Sequence, residues 1–258
     1  MKKRLIVTLI ICMVVGYYAY RIYTYYAPPT EYQPYIIHQR HDDTLRIAYL
    51  GDSWAFMHQE YDRQLEKKLK DILQRPVAVH SFGICGITSK EFYESLKSNA
   101  NLKFFLQSIK FDFCIISLGI NDTYKKMSTV YYQKSIDYTI RFFIANHISP
   151  IIIEIPDYDI IKSFEKQSKT RKLIRYMSMY INNTPIDCKP LFRNALNDML
   201  LDNIYNKKIN IIRYESWNGN GNKDLKAIYI RDGMHLNKRG YYKLDSCITD
   251  IIISTIQK

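Results

Sequence analysis

The stretch Ile47–Ser53, IAYLGDS, joins a short apolar run to a glycine and a polar turn. Four uncharged apolar residues before Gly51 predict a buried strand, and the break at Gly51 predicts a strand-to-helix turn. A serine at such a turn can hold its hydroxyl above the sheet, beside the free N–H groups of the next helix. Ser53 is therefore either a helix cap or a functional hydroxyl, and the rest of the chain decides between the two.

Further strand-like runs follow, and longer amphipathic segments separate them. Strands are predicted over 46–50, 77–82, 111–118, 150–155 and 209–214. Helices are predicted over 61–73, 89–96, 101–109, 130–147, 160–180, 190–205 and 238–256. Strands rich in Ile and Val that alternate with helices indicate a parallel sheet covered on both faces. The predicted fold class is α/β, a flavodoxin-like three-layer α/β/α sandwich around a five-stranded parallel sheet.

Three more short motifs stand at the ends of apolar runs or before the last helix. They are Gly83–Gly86 (GICG), Gly119–Asp122 (GIND) and Asp232–His235 (DGMH). Because parallel strands end at one edge of a sheet, we expect these motifs to converge there with Gly51–Ser53. Together the four motifs resemble those of the SGNH hydrolases, also called GDSL esterases. The resemblance extends from about Arg46 to the C-terminal helix.

The resemblance implies a role for each of five residues. Ser53 would be the nucleophile, His235 the general base and Asp232 the acid that orients the imidazole. The spacing of three between Asp232 and His235 can bring the carboxylate to the ring Nδ1. The backbone N–H groups of Ser53 and Gly86 and the side-chain amide of Asn121 would form the oxyanion hole. No metal ion or organic cofactor is implied.

The neighbouring polar residues receive structural interpretations. Asp52 and Asp122 are predicted to cap or brace their turns, without a chemical role. The histidines at 38, 41, 58, 80 and 147 lack metal-ligand spacing and are assigned no function. The segment 217–224 contains two Gly and three Asn and predicts an irregular loop.

Composition places the chain among ordinary folded proteins with a basic surface. Of 258 residues, 47% are hydrophobic, and 37 basic against 25 acidic residues give a formal net charge of +12. Such a charge suggests nucleic acid. No zinc-finger, RNP or helix-turn-helix pattern supports that partner, so we predict none and expect a solvated lysine-rich surface. An anionic envelope polymer or lipid surface stays open as a partner.

The five cysteines include no C-x-x-C pair, and a Cys188–Cys247 bridge is left open.

The N-terminus has the layout of a secretory signal or a signal anchor. Lys2, Lys3 and Arg4 precede an apolar run that extends to Tyr26 and would span roughly 33 Å as a helix. Residues 1–26 are predicted to be an uncleaved anchor, 27–44 a linker and 45–258 the hydrolase domain. A cleaved signal and a buried first helix are the alternatives. The positive-inside rule then places the domain outside the cytoplasm, in the periplasm or the extracellular space.

These features predict a membrane-anchored serine esterase that removes acyl groups, with O-acetyl esters of envelope or extracellular carbohydrate as the expected substrate. One alternative is an SGNH-type O-acyltransferase that modifies envelope polysaccharide beside a membrane acyl-donor partner. A non-catalytic glycan-binding module and a lipase or thioesterase for long acyl chains are further alternatives. The sequence leaves the natural substrate, the acyl group and the oligomeric state open.

Overall fold

The protein is described here by a computed structural model, which covers residues 2–32, 35, 37, 42–201, 209–218 and 225–257. The chain divides into two compact units, Met1–Tyr32 and Gln33–Lys258. Helix α1, Lys2–Tyr26, makes up most of the first unit. Within α1, the segment Ile6–Tyr26 has 21 residues and a mean hydropathy of 1.7. Its apolar stretch is not buried against the rest of the protein. This length and composition suit a membrane span and a signal sequence alike.

The second unit is built on a five-stranded sheet in which every neighbouring pair of strands is parallel. The strand order is β2-β1-β3-β4-β5, which confirms the predicted flavodoxin-like α/β class. The strands are β1 Leu45–Gly51, β2 Val77–Gly83, β3 Phe113–Ser117, β4 Ser149–Ile153 and β5 Asn210–Ile212. All five residues of β3 are buried, so side chains that point to either face of the sheet are covered.

Helices connect the strands and cover the sheet. They are α2 Ser53–His58, α3 Asp62–Leu73, α4 Ser89–Ser98, α5 Ala100–Ser108, α6 Ile120–Lys125, α7 Thr129–Ala145, α8 Ile160–Glu165, α9 Lys169–Asn182, α10 Lys189–Leu201, α11 Tyr214–Asn218, α12 Leu225–Ile228 and α13 Lys238–Ile256. One packing group joins α13 with α3, α11 and α12, and a second joins α7 with α4 and α10. The strand order places β1 between β2 and β3. The loops that follow these three parallel strands are therefore neighbours at one edge of the sheet.

Two segments illustrate how the structure departs from the sequence prediction. The predicted helix 160–180 is two helices, because Ser168 caps α9 by accepting a hydrogen bond from the N–H of Arg171 at 3.4 Å. Helix α10 is described over Lys189–Leu201, within the predicted helix 190–205 except for Lys189, and 202–208 lie outside the described residues. Trp217 and Asn218, predicted to begin a loop, instead close helix α11 and are buried. The rest of that predicted loop, 219–224, lies outside the described residues.

The cysteines are free thiols, so the Cys188–Cys247 bridge left open by the sequence is not formed. Cys188 is buried, with its sulfur 3.7 Å from Lys126 Nζ. Cys247 lies beside Ser216, with 3.6 Å between its sulfur and the serine Oγ. Cys85 is exposed on the loop after β2.

Candidate active site

The turn after β1 is shaped by Gly51. Its φ is +152°, and a Cβ atom built there would lie 2.0 Å from the backbone oxygen of Ser117 on β3. Only glycine avoids that clash, because it has no Cβ and tolerates positive φ. The N–H of Asp52 then donates to the same Ser117 oxygen at 3.1 Å. The close approach of β1 to β3 therefore fixes where α2 begins, and Ser53 is the first residue of α2.

Ser53, His235 and Asp232 form one hydrogen-bonded chain. Ser53 Oγ lies 2.9 Å from His235 Nε2, and His235 Nδ1 lies 2.6 Å from Asp232 Oδ2. The other oxygen of Asp232 accepts the N–H groups of Met234 at 2.8 Å and His235 at 3.0 Å. Burial alone would raise the pKa of Asp232, but hydrogen bonds from His235 and Met234 hold that pKa below its usual value. The carboxylate is thus charged and fixed against the imidazole.

Helix α2 and the loop that carries His235 are tied together directly. The Nε1–H of Trp54 donates to the backbone oxygen of Met234 at 3.1 Å, and the hydroxyl of Tyr241 on α13 donates to the backbone oxygen of Trp54 at 3.0 Å. The loop itself is closed by an antiparallel bridge between Tyr229 and Leu236. These contacts span about 180 residues of sequence and set the position of the imidazole relative to Ser53.

The three predicted oxyanion donors follow three adjacent strands. Ser53 follows β1, Gly86 lies in the loop after β2, and Asn121 lies in the first turn of α6 after β3. Gly86 has φ +76°, yet no atom lies within 4 Å of the position its Cβ would take. Glycine is therefore favoured there by its backbone conformation.

Asp52 connects two parts of this site. It is fully buried, and its Oδ1 caps α2 by accepting the N–H of Trp54 at 2.9 Å. Its Oδ2 accepts a hydrogen bond from Asn121 Nδ2 at 3.1 Å. Burial raises the pKa of Asp52 to about 7. The sequence predicted that Asp52 braces the turn. It did not indicate the contact with Asn121, because the two residues are 69 positions apart.

Asp122 differs from its sequence prediction as a simple helix cap. It is buried, and its carboxylate accepts the N–H of Ser89 at 2.8 Å and the Ser89 hydroxyl at 2.6 Å. Burial raises the pKa of Asp122 to about 6. This contact ties α6, which carries Asn121, to the start of α4.

His58 has a structural environment that the sequence did not indicate. Its ring is fully buried, with Nδ1 2.8 Å from Asp62 Oδ1 and Nε2 2.9 Å from Asp245 Oδ1. Burial alone would lower the pKa of His58, but the two carboxylates raise it to about 9. Three tyrosine rings also surround it, those of Tyr49, Tyr61 and Tyr241. A buried imidazolium thus joins the end of α2 to α3 and α13.

Metal binding has no candidate in the part of the chain that the structure describes. Both ring nitrogens of His58 face protein partners, and no group of three or more His, Cys, Asp or Glu side chains among these residues is arranged to hold a metal ion.

A cleft of about 760 Å³ lies beside the loop that carries Asp232. Its lining includes Arg231 and Gly233, the sequence neighbours of Asp232, and it extends to Asp157, Lys162 and Tyr229. Gly233 also accepts the N–H of Asp159 at 3.2 Å, which joins the loop after β4 to the histidine loop. Ser53, Asp232 and His235 are not among the residues that line this cleft, which adjoins the histidine loop.

Solved structures share this arrangement of strands and helices. A lipase/acylhydrolase from Enterococcus faecalis aligns with a TM-score of 0.57 at 17% identity, over 81% of this chain and 95% of the other. A psychrotrophic esterase from Pseudoalteromonas sp. aligns with a TM-score of 0.54 at 17% identity, over 84% and 100%. An acetyl xylan esterase aligns with a TM-score of 0.56 at 16% identity, over 81% and 100%. The chain therefore has the fold of the GDSL/SGNH hydrolases.

No family model matches the chain. A comparison of sequences finds a curated protein that is similar to it. That protein is the N-acylneuraminate cytidylyltransferase of Escherichia coli O18:K1:H7, strain RS218/NMEC. It is 26% identical over 208 residues, which are 79% of this chain and 41% of the relative. The chain thus spans about two fifths of the length of the curated relative that it matches.

Proposed function

We propose that this chain is a serine ester hydrolase of the SGNH/GDSL family that acts on acyl esters of carbohydrate. The observation that carries the proposal is the hydrogen-bonded chain from Ser53 Oγ through His235 to Asp232, with distances of 2.9 and 2.6 Å. Hydroxyl, imidazole and carboxylate in this order form the arrangement that activates a serine for acyl transfer. The fold shared with esterases and acylhydrolases supports the same reaction.

The reaction proceeds in two halves through an acyl-enzyme. His235 Nε2 removes the hydroxyl proton of Ser53 as Ser53 Oγ attacks the ester carbonyl. The carbonyl π electrons move onto the carbonyl oxygen. Collapse of the tetrahedral intermediate breaks the ester bond, and the leaving alkoxide takes the proton from His235. Water, deprotonated by His235, then attacks the carbonyl of acyl-Ser53. The bond from the acyl carbon to Ser53 Oγ breaks, the serine oxygen takes the proton from His235, and the carboxylic acid leaves. Asp232 holds the ring Nδ1–H and stabilises the imidazolium in both halves.

Stabilisation of the developing oxyanion is assigned to the backbone N–H groups of Ser53 and Gly86 and to the amide of Asn121. The amide nitrogen of Asn121 carries two hydrogens, and one of them is directed to Asp52 at 3.1 Å. The second is then free to point toward the serine. Asp52 thereby acts as a positioning residue, because it fixes the amide plane before substrate arrives.

The flanking cleft supports carbohydrate as the alcohol part of the substrate. It combines the aromatic ring of Tyr229 with hydrogen-bonding groups such as Asp157 and Asp159. Arg231 and Lys162 add positive charge and form no ion pair with any residue that the structure describes. Two of the similar proteins have names that refer to carbohydrate, an acetyl xylan esterase and an N-acylneuraminate cytidylyltransferase. We therefore assign O-acetyl esters of sugars, including acidic ones, as the substrate class.

Membrane attachment is the second part of the proposal. Residues 1–26 form the anchor, 27–44 the linker and 45–258 the hydrolase domain. Support comes from the apolar segment Ile6–Tyr26 and from the basic residues Lys2, Lys3 and Arg4 before it. With these basic residues on the cytoplasmic side, the hydrolase domain lies outside the cytoplasm.

The direct test compares the full wild-type chain with Ser53→Ala in detergent. We expect the wild type to hydrolyse p-nitrophenyl acetate and to react covalently with a fluorophosphonate probe. Ser53→Ala should lose at least about 10³-fold in turnover and all labelling, because the nucleophile is gone. Ser98→Ala is the matched control, since Ser98 is exposed at the end of α4 and should leave both signals unchanged.

Product analysis of the same proteins separates the hydrolase from its alternatives. Free acetate released from an acetylated sugar without a sugar acceptor supports the hydrolase. Acetylated sugar that appears only with an acceptor identifies a transferase, and binding of glycan without turnover or labelling identifies a non-catalytic module.

A further inference from the structure

Helix α9 presents its apolar residues to solvent. Its six large apolar side chains on that side are each at least 52% exposed, with Tyr180 at 90%: Leu173, Ile174, Tyr176, Met177, Tyr180 and Ile181. Spacings of three, four and seven along a helix place residues on one face. These six residues therefore form one continuous apolar surface, which we name the α9 outer face.

The opposite side of α9 is polar and buried. Arg175 is 6% exposed, and its guanidinium carbon lies 3.3 Å from the ring centroid of Tyr124 on α6. Ser178 is 2% exposed. A surface helix of a globular protein normally buries its apolar stripe and exposes its polar one. Helix α9 has the reverse orientation, so its apolar face is kept in water at a cost that a binding partner would remove.

Positive charge lies at the N-terminal end of the α9 outer face. The α8–α9 segment 160–182 has one acidic residue, Glu165, and five basic residues besides Arg175, which are Lys162, Lys166, Lys169, Arg171 and Lys172. All five are exposed or half-exposed. A helix that combines an apolar face with basic flanks is typical of segments that lie in the interface of an anionic bilayer.

A lipid surface fits this face better than a second copy of the chain does. Each copy carries a formal charge of +12, so two copies repel each other where their basic segments would meet. The chain also carries its own membrane-span candidate, Ile6–Tyr26, and residues 27–44 would hold the domain close to the bilayer.

We infer that the α9 outer face binds the surface of an anionic lipid bilayer. This inference rests on the membrane attachment proposed above. Helix α8, which precedes α9 in sequence, begins at the cleft beside the histidine loop. Ile160, Ile161 and Lys162 line the cleft, and Ile161 is itself 53% exposed.

Tryptophan quenching by brominated lipid tests the inference on the full chain. The native Trp54 and Trp217 are buried, so an added surface tryptophan reports its own environment. Tyr180→Trp places the reporter on the α9 outer face. Phe104→Trp is the matched control, because Phe104 is 73% exposed on α5. Both variants are reconstituted in nanodiscs of phosphatidylglycerol with chain-brominated phosphatidylcholine, and each is compared with the same discs without bromine.

We expect the added emission of Tyr180→Trp to fall to about half in brominated discs, because interfacial helices lie 5–10 Å into the bilayer. Phe104→Trp should keep its emission. Adding Lys169→Gln, Arg171→Gln and Lys172→Gln to Tyr180→Trp should reverse most of the quenching, as should replacing phosphatidylglycerol by a neutral lipid.

Three outcomes would overturn the inference. Chain that does not co-elute with the discs refutes the attachment and the α9 inference together. Co-elution with equal emission changes at positions 180 and 104 refutes the α9 inference alone. A cross-linked dimer through α9, without quenching at 180, assigns the face to a second copy of the chain.

Discussion

Trp54 is the residue that most directly connects the two halves of the site. Its indole is fully buried, and its Nε1–H reaches the backbone oxygen of Met234, between Asp232 and His235 in sequence. Trp217 packs edge-on against the same indole, with 5.7 Å between the ring centroids. The sequence placed a tryptophan beside the nucleophile but could not show its partner, because that contact depends on the tertiary fold.

Replacing Trp54 by Phe should reduce turnover more than it changes KM. The aromatic core contact is retained in part, but the donor to Met234 is lost and the histidine loop gains freedom. We expect kcat to fall about tenfold, since misplaced catalytic groups are costly, and unfolding free energy to fall by about 1–3 kcal/mol. Steady-state kinetics and urea unfolding measure the two effects.

Trp217→Phe is the control for this prediction. Trp217 is 3% exposed, and its Nε1 has no hydrogen-bond partner among the described residues. Its replacement should lower stability through packing while kcat stays close to wild type. Equal losses of kcat in the two variants would show that the Met234 contact does not position the loop.

At the scale of elements, α2 is held at both ends. Asp52 caps its start, and His58 joins its end to α3 and α13 through Asp62 and Asp245. A six-residue helix has little stability of its own, because helix nucleation is unfavourable. The tertiary contacts at its two ends therefore maintain the position of the Ser53 hydroxyl.

Stability should depend on pH through His58. Its pKa is about 9 in the folded protein against 6.5 as the unperturbed value. The proton is held more tightly when folded, so the contribution to stability is complete below about pH 6.5 and is lost as pH rises through 9. Wild type should lose on the order of 3 kcal/mol of unfolding free energy across this window.

The matched variant for this effect is His58→Gln, measured by urea unfolding between pH 6 and 9.5. It should be less stable than wild type at low pH, and the gap should narrow as pH rises. Should His58→Gln not fold, the wild-type imidazole can be titrated directly by NMR. A midpoint for His58 near 6.5 would contradict the prediction.

Elements that depend on local sequence were predicted well, whereas elements that depend on contacts distant in sequence were not. Apolar runs fixed all five strands to within a few residues, because burial in a parallel sheet demands continuous apolar sequence. A helix was expected after the turn at Gly51, but the bounds of α2 were not predicted, since the contact of His58 with Asp245 at its end is tertiary. The boundary between α8 and α9 was missed because Ser168 interrupts a helical pattern without Gly or Pro. The motifs brought Ser53, Asp232 and His235 into the candidate site and predicted the brace at Asp52. The contacts of Asp52 with Asn121 and of His58 with Asp245 could not be predicted, because these partners are distant in sequence.

For the whole molecule, the described chain separates into an apolar helix and a basic α/β unit. The proposed topology sets the first in the bilayer and the second outside the cytoplasm. Five free thiols give a means of testing this arrangement, because Cys85 is exposed while Cys114 and Cys188 are buried.

Intact cells that express the full chain should react with a membrane-impermeant maleimide at Cys85. Labelling should match that of lysed cells, because the hydrolase domain is accessible from outside. Cys85→Ser should lose most of the signal, and Cys114→Ser should keep it, since Cys114 is fully buried. A signal that develops only after lysis, as for a cytoplasmic marker protein, would refute the topology.

The separation of Ser53 and His235 along the chain has a consequence for biosynthesis. His235 follows Ser53 by 182 residues, and both Trp54 and Tyr241 link the two ends of the domain. A growing polypeptide therefore exposes its serine long before any base exists to activate it. Under the proposed topology, the nascent chain would cross the membrane as an inert precursor. The proposed hydrolytic activity would begin only when the final helix docks, so premature termination near the C-terminus should yield a protein without activity.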